Sequence, residues 1–270
     1  MVARAAQDTS SVAAPARDGR IVCLLATVLL LLSGCTAYRA GPEGETLDPL
    51  EPVNRTIFSF NMTLDRWLLR PVAKGYDTVA PKPVKYAVSN FFSNWRTPVW
   101  VVNHLLQGNI PAAGRQTGRF AINTTLGLGG IIDAAQDAKL PPESTGFGTT
   151  LGKWGVGDGP FWMLPIFGPS NPRDTIGLFA DRYIDPLLNY KNTSRRDKLR
   201  ILRIIDRRRQ LLSADKAIRE AADQYIFVRE AYLQNRRFQI SGPGAEEEEF
   251  EDLEADLEAL LEEEEAADER

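Results

Sequence analysis

Histidine and cysteine are almost missing from this 270-residue chain, which has one His, His104, and two Cys, Cys23 and Cys35. A catalytic triad or a zinc centre normally assembles several such side chains, so neither chemistry is expected. The motifs HExxH, GxSxG and CxxC are absent, and no nucleophile constellation stands out. We therefore expect no enzyme, no metal and no cofactor. His104 lies in the apolar run of residues 99–106 and reads as a satisfied structural residue. A membrane-spanning helix is missing too. The strongest apolar run, residues 21–32 (IVCLLATVLLLL), has twelve residues and reaches about 18 Å, against a hydrocarbon core of about 30 Å. What remains is ordinary globular composition, 43% hydrophobic and 25% charged, which excludes collagen-like and wholly disordered chains.

That short apolar run follows Arg4, Arg17 and Arg20 and precedes Ser33-Gly34-Cys35, the layout of a secretory signal segment. Leu32-Ser33-Gly34-Cys35 resembles the bacterial lipobox, in which cleavage falls before a cysteine diacylated on sulfur. Residues 1–34 are then a signal peptide and Cys35 the lipidated first residue of the mature chain. Cys23 is lost with the signal, so no disulfide is expected. Thr36 stands where inner-membrane retention signals carry Asp, which favours the outer membrane. Charge is unevenly spread. Residues 246–270 hold 15 acidic residues and one Arg, leaving residues 1–245 with 31 basic and 21 acidic, a balance of +10. A basic body suits an anionic surface. Nucleic acid is not expected as a partner, because the aromatics fall in apolar runs rather than alternating with basic residues.

Along the mature chain, residues 35–52 read as a lipidated tether rich in Pro, Gly and acid. Residues 53–240 form the helical domain, and residues 241–270 an acidic, disordered tail. Asn54 is expected to cap a helix carrying Ile57, Phe58, Phe60, Met62, Leu64, Trp67 and Leu68, ending at Pro71. After a break at Pro81-Lys82-Pro83, residues 84–106 predict one or two helices bent at Pro98. Residues 110–126 give a weaker helical pattern. Residues 108–177 contain 14 of the 21 glycines, so short helices and turns are expected there, with a hairpin around residues 125–132 or 152–159. Neither glycine cluster has the strand context or Lys-Ser/Thr pair of a nucleotide loop. Residues 195–212 predict an amphipathic helix in which Arg196, Arg200, Arg203 and Arg207 share a face. That face is either solvated and salt-bridged or in contact with lipid phosphates or acidic partners. A further helix is expected over residues 214–232.

Several ordered motifs then resemble one family. Asp48-Pro49-Leu50-Glu51, Asn54-Arg55 and Phe58 with Phe60-Asn61 are similar to the start of mature MlaA (VacJ) lipoproteins. So are Ser89-Asn90-Phe91, Leu106-Gln107-Gly108, Arg119-Phe120, Leu126-Gly127 with Gly129-Gly130, and Phe147-Gly148-Thr149-Thr150-Leu151-Gly152. The likeness continues through Gly155-Val156-Gly157, Gly159-Pro160, Gly168-Pro169-Ser170, Arg173-Asp174 and Val228-Arg229-Glu230-Ala231-Tyr232, spanning about residues 48–238. The resemblance implies an all-α, ring-like arrangement of amphipathic helices embedded in the inner leaflet of the outer membrane. It implies an amphipathic channel that removes misplaced phospholipid from the outer leaflet, with a trimeric porin and a periplasmic, MlaC-like lipid carrier as partners. On that reading Phe58, Phe60 and Asn61 are candidates to line or brace the channel. Gly127, Gly129, Gly130, Gly152, Gly155, Gly157 and Gly159 are candidates for a gating segment, with core packing and tight turns as the alternative for both sets. The arginine face offers headgroup or partner contacts. A lipoprotein that binds porin or envelope partners without moving lipid is the competing expectation.

Overall fold

The structure is a computed structural model and describes residues 48–242. The signal segment, Cys35, most of the tether and the acidic tail lie outside the described residues. The chain order is α1 (Glu51–Leu64), a π-helical turn (Asp65–Leu69), α2 (Arg70–Val79), α3 (Lys82–Leu106), α4 (Ile110–Thr125), α5 (Ala134–Asp137) and α6 (Phe147–Lys153). A two-stranded hairpin follows, β1 (Trp162–Leu164) and β2 (Gly168–Ser170). The rest is α7 (Pro172–Ile184), α8 (Thr193–Gln210), a 3-10 turn (Leu211–Ala214), α9 (Asp215–Glu220) and α10 (Gln224–Ser241). The described residues are mostly helical, as the sequence predicts. None of their helices is long and apolar enough to cross a membrane.

The first helix departs from expectation at both ends. It begins at Glu51 with Pro52 in its first turn, where a missing N–H costs nothing. Asn54 is therefore not the N-cap but a buried residue inside the helix. The folded part also reaches back into the expected tether, because the carboxylate of Asp48 accepts from Asn54 Nδ2 (3.0 Å) and from the hydroxyl of Tyr225 on α10. Nor does the helix stop at Pro71. A proline ring clashes with the carbonyl four residues earlier and offers no N–H. Here the backbone widens into the π-helical turn, where the Arg70 N–H reaches back five residues to the Asp65 carbonyl. The chain then continues through Pro71 into α2. Only at Ala80, which is extended ahead of Pro81, does it turn.

The middle is built on α3, which runs unbroken across Pro98 and buries Phe92, Val99 and Trp100 beside Asn94, Thr97, Asn103 and His104. Each of its buried polar residues makes at least one hydrogen bond, although Asn94 Oδ1 and His104 Nδ1 have no partner among the described residues. Asn103 Nδ2 donates to Asp181 (2.9 Å), and His104 Nε2 bonds the Glu143 carbonyl (3.1 Å), the structural role expected of a lone histidine. Asn109 caps α4, Asn171 caps α7, Asn192 caps α8 and Asp223 caps α10, each accepting from backbone N–H groups of the first turn. The hairpin lies at residues 162–170, beyond both glycine clusters where it was expected. Those clusters form turns and the end of α6 instead. At Gly130 (φ +93°) an added Cβ would lie 2.4 Å from Asn94 Cβ, so that turn is pressed onto α3. Phe161, Met163 and Tyr225 form the apolar centre that joins hairpin to α10, with Ile57 and Phe58 of α1 packed against it.

Candidate functional site

Two asparagines of α1 position the hairpin. Asn54 donates to the Phe161 carbonyl (3.1 Å) and accepts from the Met163 N–H (2.8 Å), while Asn61 donates to the Leu164 carbonyl (2.9 Å) and accepts from the Ile166 N–H (2.7 Å). Each side-chain amide thus takes the place of a neighbouring strand's peptide. The spacing works because seven helical residues rise about 10.5 Å and three strand residues about 10 Å. Asn61 holds the hairpin tip, where Ile166 takes a left-handed φ of +68°. That conformation is strained for a β-branched residue. Ile166 and the neighbouring Phe167 are exposed there.

Between this hairpin, the π-helical turn and the α8–α10 segment lies a cavity of about 320 Å³. Its wall is apolar where Phe58, Met62, Leu69, Met163, Phe167 and Val228 contribute. Its remaining wall is ionic. Arg208 grips Asp65 through two hydrogen bonds (2.6 and 2.9 Å), also donates to Asp215 (2.7 Å), and Arg70 donates to the other oxygen of Asp215 (2.8 Å). Arg66 and Arg219 also line the cavity, so four guanidiniums against two carboxylates leave this wall net positive, and the Asp65 carboxylate foremost holds the Arg208 guanidinium above its usual pKa. The π-helical turn matters to this geometry, because Asp65, Arg66 and Leu69 all belong to it and all line the cavity. An apolar wall facing an ionic one accommodates an amphiphile.

Of the expected site residues, Phe58 and Asn61 line this cavity and Phe60 does not; Phe60 is exposed on another side of α1. None of Gly127, Gly129, Gly130, Gly152, Gly155, Gly157 and Gly159 lines it. Gly127 and Gly130 are buried close contacts. At Gly152 an added Cβ would meet Ile240 of α10 at 2.7 Å. Gly155, Gly157 and Gly159 belong to the loop leading to β1. The arginine face divides: Arg196 and Arg200 pair with Asp197 on their own helix, Arg203 donates to Asp185 (2.9 Å), and Arg207 has no hydrogen-bond or ion-pair partner among the described residues. Sequence reading missed the cavity, Asn54 as a clamp and Asp65 as a partner of Arg208. Only the equal seven-residue spacing of two asparagines hinted at the clamp. Among the described residues no group of three or more His, Cys, Asp or Glu could hold a metal ion.

Large apolar side chains are exposed on several elements. Trp67 is 78% exposed, Val79 83% and Tyr183 85%, and Val53, Leu68, Leu126, Leu128, Ile176 and Phe179 are exposed as well. Apolar exposure this extensive suits contact with a membrane or a protein partner.

The model of the MlaA lipoprotein family matches residues 46–239. The chain belongs to the MlaA lipoprotein family. It is 39% identical over 222 residues to the intermembrane phospholipid transport system lipoprotein MlaA of Escherichia coli K12, covering 81% of this chain and 88% of that one. The Haemophilus influenzae protein of the same name is 35% identical over 217 residues, 78% of this chain and 87% of that one. A solved structure described under "Structural basis for maintenance of bacterial outer membrane lipid asymmetry" superposes with a TM-score of 0.65 at 42% identity, covering 72% of this chain and 99% of that chain. The MlaA family model starts two residues before Asp48, whose buried carboxylate ties α1 to α10.

Proposed function

We propose that this chain is the outer-membrane lipoprotein of a phospholipid transport system that maintains lipid asymmetry. It would take phospholipid misplaced in the outer leaflet and pass it to a periplasmic carrier. The observation that carries this reading is the amphipathic cavity bounded by α1, the hairpin tip and α8, within a family whose named relatives serve phospholipid transport. The physical need is plain. Each CH₂ is worth about 0.8 kcal/mol, so baring two acyl chains of about 30 CH₂ groups to water costs on the order of 25 kcal/mol. A conduit with an apolar wall and a polar one avoids most of that cost.

Its exposed apolar faces support a place within one leaflet, as no described helix spans a bilayer. A ring of helices held at the inner leaflet by acylated Cys35, with a trimeric porin covering part of those faces, accommodates both features. In this arrangement the hairpin tip at Ile166 is the mobile element beside the path, a role the glycines of residues 127–159 fill less well because Gly127 and Gly130 are packed. An in-frame deletion is expected to raise surface-accessible phospholipid acylation and detergent sensitivity, and Cys35→Ala to do so by loss of anchoring. Unchanged outer-leaflet phospholipid, with the protein still at the outer membrane, would favour a scaffold that binds envelope partners without moving lipid.

A further inference from the structure

The cavity between the hairpin, the π-helical turn and the α8–α10 segment carries more positive charge than its ion pairs use. Its charged lining residues are Arg66, Arg70, Arg208 and Arg219 against Asp65 and Asp215. Both carboxylates are committed. Arg208 bonds both oxygens of Asp65, while Asp215 accepts from Arg208 on one oxygen (2.7 Å) and from Arg70 on the other (2.8 Å). Arg219 comes only to 3.9 Å from the Asp215 oxygen that Arg70 already bonds, too far for a hydrogen bond. Arg66 lines the cavity with no hydrogen-bond or ion-pair partner among the described residues. Two guanidiniums, both on exposed residues, are thus left for a ligand.

Helical spacing places this charge beside apolar surface. Phe58, Met62 and Arg66 follow one another every four residues, so a single stripe passes from apolar to cationic along the cavity wall. Asp215, Ile218 and Arg219 share a face of α9 in the same way. The volume of about 320 Å³ is that of a cube about 7 Å on edge. An acyl chain reaches half the hydrocarbon core, about 15 Å. The space therefore holds a headgroup with the first carbons of its chains, and the rest must leave on the apolar side, where Ile166 and Phe167 are exposed.

We propose that Arg66 and Arg219 make this cavity selective for phospholipids with an anionic headgroup, such as phosphatidylglycerol, over zwitterionic ones such as phosphatidylethanolamine. The phosphodiester takes charge-assisted hydrogen bonds from the two forked guanidiniums. An ammonium on the same headgroup finds both carboxylates of the wall already engaged by arginine, and it adds like charge to a wall that is already positive. This deepens the transport reading above and rests on it.

The test is calorimetric titration of the full chain in non-ionic detergent with dihexanoyl phosphatidylglycerol, dihexanoyl phosphatidylethanolamine and inorganic phosphate. Phosphatidylglycerol is expected to bind about tenfold tighter than phosphatidylethanolamine. Arg66→Gln with Arg219→Gln should weaken phosphatidylglycerol about tenfold and phosphatidylethanolamine less, so that the ratio falls to about two. Neither guanidinium makes a hydrogen bond among the described residues, so the thermal midpoint of that double variant should hold. If it instead unfolds, salt decides on the unaltered chain. Both guanidiniums are open to water, so raising NaCl from about 20 mM to about 500 mM should shrink the preference severalfold. Equal affinities for the two lipids, a ratio that survives in the folded variant, or a preference indifferent to salt overturns the selectivity. Inorganic phosphate binding as tightly as phosphatidylglycerol overturns the lipid assignment and gives the site to free phosphate. Should the selectivity fail while gene deletion still raises outer-leaflet phospholipid, the transport reading stands without it.

Discussion

The crossing of α6 with α7 and the seating of the hairpin on α1 are both long-range contacts, but they are made in opposite ways. At the crossing, backbone meets backbone: a Cβ on Gly177 would lie 2.2 Å from the Gly148 amide nitrogen. Around it, the Asp174 carboxylate is held by Arg236 and by the Tyr232 hydroxyl, and burial together with that carboxylate raises the Tyr232 pKa. The hairpin has no such backbone contact with α1. It is held by two side-chain amides and leaves Ile166 and Phe167 exposed at its tip. One region excludes any adjustment, whereas in the other the root of the hairpin is anchored by the apolar centre of Phe161, Met163 and Tyr225 and its tip is tied to α1 by only the two hydrogen bonds of Asn61. Elements that move to admit a ligand are drawn from the weakly held end of a structure, and here that end is the one beside the cavity.

The sharpest way to break the comparison is Gly177→Val. Filling a backbone contact cannot be relieved by a rotamer change, so stability should fall by about 3 kcal/mol or more, read as a lower midpoint in urea unfolding. A loss below about 1 kcal/mol would mean the crossing is as adjustable as the hairpin. The clamp gives a middle-sized effect with an internal order. Asn54→Ala strands a buried carbonyl and N–H and should cost about 2–3 kcal/mol, whereas Asn61→Ala frees the more open tip and should cost about 1 kcal/mol. Hydrogen exchange at Ile166 should accelerate in Asn61→Ala while α6 and α7 keep their protection. Equal costs would remove the distinction between the root and the tip of the hairpin.

The smallest effect concerns pH at the rigid end. Burial pushes the Asp181 carboxyl above its ordinary value, against hydrogen bonds from Asn103 and the Phe147 N–H and attraction from Arg96 and Arg236. A carboxyl raised in the folded state contributes stability that is full below the ordinary carboxylate value and is lost as pH rises through the folded one. Stability rises with pH along the acid limb as carboxylates held below their ordinary values, such as Glu143 and Asp223, ionise, and Asp181 works against that rise, so Asp181→Asn should steepen the limb while changing stability at pH 7 by no more than about 1 kcal/mol. A flatter limb in the variant would show that the ionised carboxylate, not the neutral one, holds α6 to α3 and α7.

Much of the helical plan was legible without the fold. The break at Pro81, the run from residue 84 to 106, the helix over residues 110–126 and the arginine helix all appear in periodicity and punctuation, because those are local properties of the chain. Legibility failed where a local signal was overridden from a distance. Asn54 has the right chemistry for a cap, but the strand residues 161 and 163 claim its amide. Pro71 has the right chemistry for a stop, but the π-helical turn absorbs it, and Arg208 and Asp215 secure Asp65 and Arg70 on either side. For the glycines of residues 127–159 residue order left a gating segment and close packing both open, and at Gly127, Gly130 and Gly152 an added Cβ would meet neighbouring residues.

What the sequence determined by itself is the family, the helical class, most helix limits and the presence of an arginine face, since each follows from residue order over a few turns. Only the tertiary structure decided which arginines of that helix are paired, because Arg208 meets Asp65, 143 positions earlier in the chain. It also decided that an apolar wall and an ionic wall close on one cavity. A side chain's partner is set by packing in three dimensions, and periodicity along one helix carries no record of which helix lies opposite.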